Sequence, residues 1–291
     1  PPLEAVDYDT FSTPIFATWE KKMASQRRRR RFSLALAAVL VIGASLFLLR
    51  PVLSPPIATV LAYAGPDSSR YGVNKTIMAG TLLETSGQPE ERLAVALGDH
   101  IVRLDAGTEL RLDDDRRIEL RGGAIYLETA PSPLVVIAGD SAIEHIGTRY
   151  EVRLQSGELD VRVRAGRVKI SNGGRSIEVE PGQGASNVDG GRFSIRDIRR
   201  TGESWTWLQQ AAPPFESDGA ALEAVLTWLA AEAGWELEID PGLYQDATGE
   251  PAKVRGSIRS LSPEAALAQV LTSAGLSYRF DGDRLIVEEP E

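Results

Sequence analysis

The chain has 291 residues, of which 43% are apolar and 25% charged, and its formal charge is −9. That composition fits a globular protein of about two domains and excludes wholesale disorder. With no cysteine and two histidines it also excludes disulfide frameworks, thiolate metal sites, cysteine nucleophiles and a multi-histidine metal centre within one chain.

The charge is divided along the chain. Residues 1–31 hold seven basic and four acidic side chains, a net of +3. Beyond Arg50 there are 24 basic and 37 acidic side chains, a net of −13. An acidic body is a poor partner for phosphate backbones, so no nucleic acid is expected. Thr13-Pro14 reads as an N-cap and first-turn pair, and Phe16, Trp19 and Met23 beyond it share one helical face. Such a face suits a cytoplasmic partner. It suits better an interfacial helix, with Trp19 at headgroup depth and the arginines on anionic lipid.

Phe32 to Leu49 carries no charge. As a helix, 18 residues span about 27 Å, close to a hydrocarbon core of ~30 Å. Five arginines precede it and Arg50 follows, so the positive-inside rule places residues 1–31 in the cytoplasm. Residues 32–49 are therefore predicted to be a transmembrane helix, with residues 51–291 across the membrane. The rival is a cleaved signal peptide, for which Ala62-Tyr63-Ala64 has the small-x-small form. The apolar run exceeds the usual ~7–15 residues of such a leader. Residues 50–62, with three prolines, read as a stiff linker.

From 63 to 200 the pattern has period two. Val102-Arg-Leu-Asp, Glu109-Leu-Arg-Leu-Asp, Arg117-Ile-Glu-Leu-Arg, Ala124-Ile-Tyr-Leu-Glu, Tyr150-Glu-Val-Arg-Leu and Leu159-Asp-Val-Arg-Val-Arg all alternate. Each reads as a half-buried strand with one wet face, separated by Gly- and Asp-rich turns. The prediction is an all-β domain, sandwich-like or solenoid-like.

Five segments in that domain follow one another in order: Leu104-Asp-Ala-Gly-Thr-Glu-Leu-Arg-Leu, Leu120-Arg-Gly-Gly-Ala-Ile-Tyr, Gly147-Thr-Arg-Tyr-Glu-Val-Arg, Val163-Arg-Ala-Gly-Arg-Val and Pro181-Gly-Gln. The series resembles the periplasmic domain of the FecR family, transmembrane regulators of extracytoplasmic-function sigma factors. On this reading Gly147 and Thr148 start a buried strand and Tyr150 and Val152 point inward. Their role is structural.

Residues 201–291 have another texture. Leu222, Val225, Leu226 and Leu229 mark a helix face stopped by Gly234; Trp235 to Ile239 alternates; Lys253 to Ile258 reads as a further strand. Ser262-Pro263 caps a second helix, and a hairpin follows across Asp281-Gly282-Asp283. This small α/β module resembles the STN domain of secretins and TonB-dependent receptors. The similarity rests on Val254-Arg-Gly-Ser-Ile, Leu261-Ser-Pro-Glu-Ala-Ala-Leu and Leu276-Ser-Tyr-Arg-Phe. The aromatic residues Trp205, Trp207, Phe215, Trp228 and Trp235 could form a binding surface, since tryptophan is enriched at interface hot spots, but they read better as core, packing this module on the β domain.

A search for chemistry gives little. His145 beside Glu144 lies on a strand, and His100 in a turn. Asp113 to Asp115 is neutralised by Arg116 and Arg117, and Gly182-Gln-Gly184 lacks the strand–glycine–helix context of a nucleotide site. No catalytic residue, cofactor or metal is assigned, and an enzyme is not expected.

The FecR resemblance implies a signal relay. The periplasmic part would meet the signalling domain of a TonB-dependent receptor by β-addition to an exposed edge, Lys253, Val254, Arg255, Gly256, Ser257 and Ile258, or Trp235 to Ile239. An extracytoplasmic-function (ECF) sigma factor would be the cytoplasmic partner, met by Phe16, Trp19 and Met23. The family places roughly 80 residues of helical domain before the anchor, where this chain has 31. A lone domain usually needs at least ~40. The alternative is a membrane-tethered periplasmic interaction scaffold with no sigma partner.

Overall fold

A computed structural model describes residues 55–67, 69–188, 192–246 and 248–290. The expected membrane segment 32–49 and the face carrying Phe16, Trp19 and Met23 lie outside the described residues. Among the described residues no helix is long and apolar enough to cross a membrane.

Strand structure begins earlier than the sequence pattern suggests. β1 (Pro56–Ala64) already buries Ala58 and Val60, so the linker expected through residue 62 stops before Pro56. The two prolines at its start are tolerable because a strand's first residues need not donate to a ladder. Short β2 (Thr76–Met78) and β3 (Leu82–Glu84) follow, then β4 (Arg92–Leu97), β5 (His100–Leu104) and β6 (Glu109–Leu112). β7 (Arg117–Glu128), β9 (Ser141–Gln155) and β10 (Glu158–Asn172) are long, with β8 (Val135–Ala138) between the first two. β11 (Arg175–Val179), β12 (Gln183–Val188) and β13 (Arg192–Asp197) complete the domain.

All of these strands join one hydrogen-bonded sheet, whose main path runs β13-β12-β10-β9-β8-β7-β5-β4-β1-β2. Each long strand carries a glycine in the left-handed region: Gly123 (φ 86), Gly147 (φ 54) and Gly166 (φ 74). At these points the strands change partners. β9 pairs with β8 through Ser141–Glu144 and with β7 through Arg149–Leu154. β10 shifts register twice between Val163 and Arg167. The sheet therefore doubles over along a line of bulged glycines, and its two layers enclose one core. Leu104, Ile125, Tyr150, Val152 and Val161 fill it from one layer; Leu110, Ile118, Val136, Ile143 and Val168 fill it from the other. Gly147 is thus a bend in mid-strand and not a strand start. A start was expected because glycine in sequence marks turns, and a bulge inside a fifteen-residue strand leaves the same mark.

The doubling rests on a repeated corner. Thr85 N–H donates to the Thr108 carbonyl and Thr129 N–H to the Thr148 carbonyl, both at 2.9 Å. Thr108 N–H donates to Thr85 Oγ1 at 2.9 Å, and Thr148 N–H to Thr129 Oγ1 at 2.8 Å. Thr108 Oγ1 donates to the Ala124 carbonyl at 3.0 Å, and Thr148 Oγ1 to the Arg167 carbonyl at 2.9 Å. The residues after each corner are Gly123-Ala124 and Gly166-Arg167. The two turns of chain share the wording Leu-Glu-Thr at 83–85 and 127–129 and Gly-Thr at 107–108 and 147–148. Thr108→Val removes a buried hydroxyl and orphans the Ala124 N–H it also accepts at 3.0 Å. The expected loss is about 2 kcal/mol in a urea titration; an unchanged midpoint would show that the corner carries no load.

The tail is a separate α/β module. After a connector holding the short helix α1 (Trp207–Gln210) come α2 (Leu222–Ala233) and β14 (Glu236–Ile239). α3 (Pro263–Ala274) and the hairpin β15 (Ser277–Asp281) and β16 (Arg284–Glu288) end it. Gly234 (φ 82) and Gly275 (φ 70) are left-handed C-caps, and Ser262 Oγ accepts the Ala265 N–H with Pro263 in the first turn. The sheet order is β14-β16-β15, with β14 parallel to β16. Leu226, Leu229, Leu267, Leu271, Leu285 and Val287 form its core.

One expected strand is absent. Lys253–Ile258 forms only an isolated bridge, Lys253 with Ala221. Its partner stretch turns into α2 at Leu222, which leaves no length to pair with. Gly256 (φ 92) then breaks the alternation, and in place of a ladder Ser217 Oγ donates to the Gly256 carbonyl and accepts the Ile258 N–H.

Candidate functional site: a covered polar platform and an open strand edge

The outward side chains of the first sheet layer line up across four neighbouring strands. Arg103 stands opposite Tyr126, Tyr126 opposite Glu151, and Glu151 opposite Arg162. The alternation in sequence assigns these positions to a wet face. They are in fact covered: Arg103 and Tyr126 are each 2% exposed and Glu151 is 0%. The connector and α2 lie over them. Single-strand periodicity finds the outward positions but not the neighbour that seals them.

The cover is held by charge. Glu151 accepts from Arg153 Nη2 at 3.1 Å, Arg162 Nε at 2.5 Å and Trp207 Nε1 at 3.2 Å. Arg162 and Arg164 stack on the Trp205 ring at 4.2 and 4.7 Å from its centroid. Arg164 sits at the bulge between Val163 and Ala165, which re-aims it out of the sheet. Its Nε donates to the Arg200 carbonyl at 2.7 Å and its Nη1 to the Glu232 carbonyl at 3.1 Å. Arg103 holds the Glu232 carboxylate with two nitrogens, at 2.8 and 2.5 Å, and also pairs with Glu128. Burial alone would lower the Arg103 guanidinium, but Glu232 and Glu128 outweigh it and hold it above its ordinary value. Burial lowers Arg164 and raises the Tyr126 phenol.

The five aromatic residues expected as one cluster divide in two. Trp205 and Trp207 pack with Tyr126 and Leu208 on the platform. Phe215 stacks on Trp228 at 4.8 Å, and both join Trp235 in the tail core. The remaining named residues fall in three places. Thr148, Tyr150 and Val152 are buried in β9, while Gly147 is exposed at its bulge. The second edge of β14 borders a cleft of about 870 Å³ whose other wall includes Thr129, Gly147 and Thr148.

The segment at 253 has one side taken. Leu222 N–H donates to the Ala252 carbonyl at 2.7 Å, and Val254 N–H to the Ala220 carbonyl at 2.9 Å. Alternation in an extended chain turns the backbone groups of Lys253 and Arg255 the other way. There a groove of about 1200 Å³ is lined by Lys253, Arg255, Gln269, Val270 and Ser273.

The histidines form a pair that sequence separation conceals. Their rings are 5.5 Å apart and nearly perpendicular, and His145 also stacks on Tyr150. His100 is buried at the head of β5, with Nδ1 accepting the Ala130 N–H at 3.2 Å and Nε2 beside Ser132 Oγ at 3.0 Å. Among the described residues no group of three or more metal-ligating side chains is placed to hold a metal. Burial first, and His100 second, push His145 down to about 4, and burial lowers His100 against the opposing pull of Asp99 and Asp115. Folding keeps the His145 ring neutral down to about pH 4, whereas the unfolded chain takes up protons from about pH 6.5 downward. Stability present above that value is therefore lost as pH falls toward about 4. Between pH 7.5 and 5 a loss of about 1–2 kcal/mol is expected in urea midpoints, reduced in His145→Phe; equal pH dependence in the two proteins would refute it.

Residues 83–169 match the FecR protein family. The FecR match begins at the first Leu-Glu-Thr and ends just past Gly166, so it spans both copies of the threonine corner. It covers less than a third of the chain, and neither the connector nor the tail falls within it. No curated protein matches the chain. Two crystal structures of a candidate anti-sigma factor from Parabacteroides distasonis ATCC 8503 are similar at 20% and 21% identity. Each covers 72% of this chain and 100% of its own, with a TM-score of 0.39. A likeness that loose leaves the function to the FecR segment and the chain's own residues.

Proposed function

We propose that this chain is a FecR-like regulator of cell-surface signalling. Residues 32–49 anchor it in a bacterial inner membrane, with the N-terminus in the cytoplasm and the β domain and tail in the periplasm. The tail, read as an STN-like module, receives the signalling domain of a TonB-dependent receptor. The cytoplasmic segment with Phe16, Trp19 and Met23 contacts an ECF sigma factor and restrains it. The observation that carries this reading is the FecR match across both threonine corners. The backbone side of Lys253 and Arg255 that faces the groove supports this reading, since a partner strand could pair there although the stretch is not itself a strand.

The test is capture of the tagged full-length protein from native membranes after gentle extraction. The expected result is co-purification of a sigma factor that is lost on deleting residues 1–26, and of a TonB-dependent receptor that survives that deletion. Absence of any sigma factor even after cross-linking would overturn the restraint and leave a periplasmic scaffold.

A further inference from the structure

The β domain and the tail each close their own hydrophobic core, and among the described residues no apolar cluster spans the two. The third cluster, Trp205, Trp207 and Leu208 with Tyr126, binds the connector to the platform and stops short of α2. The tail itself is held by polar contacts. Arg103 grips the Glu232 carboxylate, and Arg164 caps the Glu232 carbonyl. Both cations thus sit at the last turn of α2, where free carbonyls and the helix dipole favour positive charge. At the rim, Arg200 meets Asp283 at 3.3 Å and Thr201 Oγ1 donates to Asp283 at 2.9 Å.

Two features make this interface unlike a permanent one. A buried ion pair gives little net stability over an apolar pair of the same shape. The interface also leaves buried polar atoms without partners, Arg103 Nε and the Tyr126 hydroxyl. Polar contacts between separately cored modules are the ordinary setting for relative motion. Residues 212–215, with Pro213 and Pro214, lie outside regular secondary structure between the bound connector and α2 and are placed to act as the hinge.

We propose that the tail module docks on and lifts off the β platform as a body, with Arg103 and Glu232 as the latch that sets the balance. The connector, pinned by Trp205 and Trp207, stays on the platform in both states. Lifting frees the Arg103 and Arg164 nitrogens that meet Glu232, and it opens the cleft between β14 and Thr148.

The chain has no cysteine, so two introduced thiols are unique labels. Spin labels at exposed Glu158→Cys on β10 and Glu264→Cys on α3 report the separation in full-length protein held in nanodiscs. The expected result is a dominant short distance with a minor longer one, the longer fraction rising several-fold in Glu232→Gln. The double variant Arg103→Met/Glu232→Leu, an apolar substitute for the latch, returns the short distance to at least its original share. Hydrogen exchange provides the second readout: α3 stays protected in Glu232→Gln while amides in the last turn of α2, around Glu232, exchange faster. An unchanged distance distribution in both Glu232→Gln and Glu232→Ala would overturn the latch. Loss of α3 protection in step with the longer distance would overturn motion as a body.

Discussion

Gly166→Ala lowers stability by about 3 kcal/mol or more and takes the melting temperature down by many degrees. Gly166 has φ 74, where a Cβ is already strained, and that Cβ would collide with the Gly147 carbonyl and lie 2.9 Å from Thr148 Cα. Those atoms are backbone at the corner where the sheet doubles over, so nothing there can step aside cheaply. Gly123→Ala should behave alike, since its Cβ would lie 2.5 Å from the Gly107 carbonyl and from Thr108 Cα. The control is Gly157→Ala. It has φ 84 and nothing within 4 Å of a Cβ, and so isolates the backbone term of about 1 kcal/mol. If Gly166→Ala costs no more than Gly157→Ala, the corner is not close-packed as described.

The second large effect lies on the platform. Glu151→Leu removes a fully buried carboxylate and takes an acceptor from Arg162, Arg153 and Trp207 Nε1, while Arg153 keeps Asp105 at 3.1 Å and Arg162 keeps the Ser204 carbonyl at 3.3 Å. Breaking such a group from one side costs about 3 kcal/mol, because cations are stranded next to each other. Arg153 is 28% exposed at its side chain and can rehydrate, which keeps the figure from rising further. Glu151→Gln, which retains one acceptor, should lose roughly half as much. Equilibrium unfolding of the three proteins measures the series, and a smaller loss in the leucine variant than in the glutamine variant would refute the assignment.

Sequence pattern and structure agree where one element decides its own state. The tail helices were legible because Leu222, Val225, Leu226 and Leu229 repeat at helical spacing, and glycine and Ser-Pro mark the ends. The β strands of the middle domain were legible for the same reason. What sequence could not supply was anything set by a neighbour. Lys253–Ile258 has the alternation of a strand, but a strand also needs a partner of equal length. Arg103, Tyr126, Glu151 and Arg162 looked solvated because their own strands give no sign of the connector that covers them. The threonine corner did leave a signal, the paired Leu-Glu-Thr and Gly-Thr wording, and aligning the chain with itself would have found it.

The parallel pairing of β14 with β16 also fixes an order of assembly. Most pairs in the β domain join strands close in sequence, such as β9 with β10 and β12 with β13, and these can form as soon as each hairpin exists. β14 has no such neighbour: Glu236 must wait for Arg284, at the far end of the described chain. Until β16 arrives, α2 and β14 have no sheet to close their core. A chain emerging from its N-terminal end would therefore complete the platform first and close the tail last. A chain cut before Arg284 would keep a finished platform with nothing competent to dock on it.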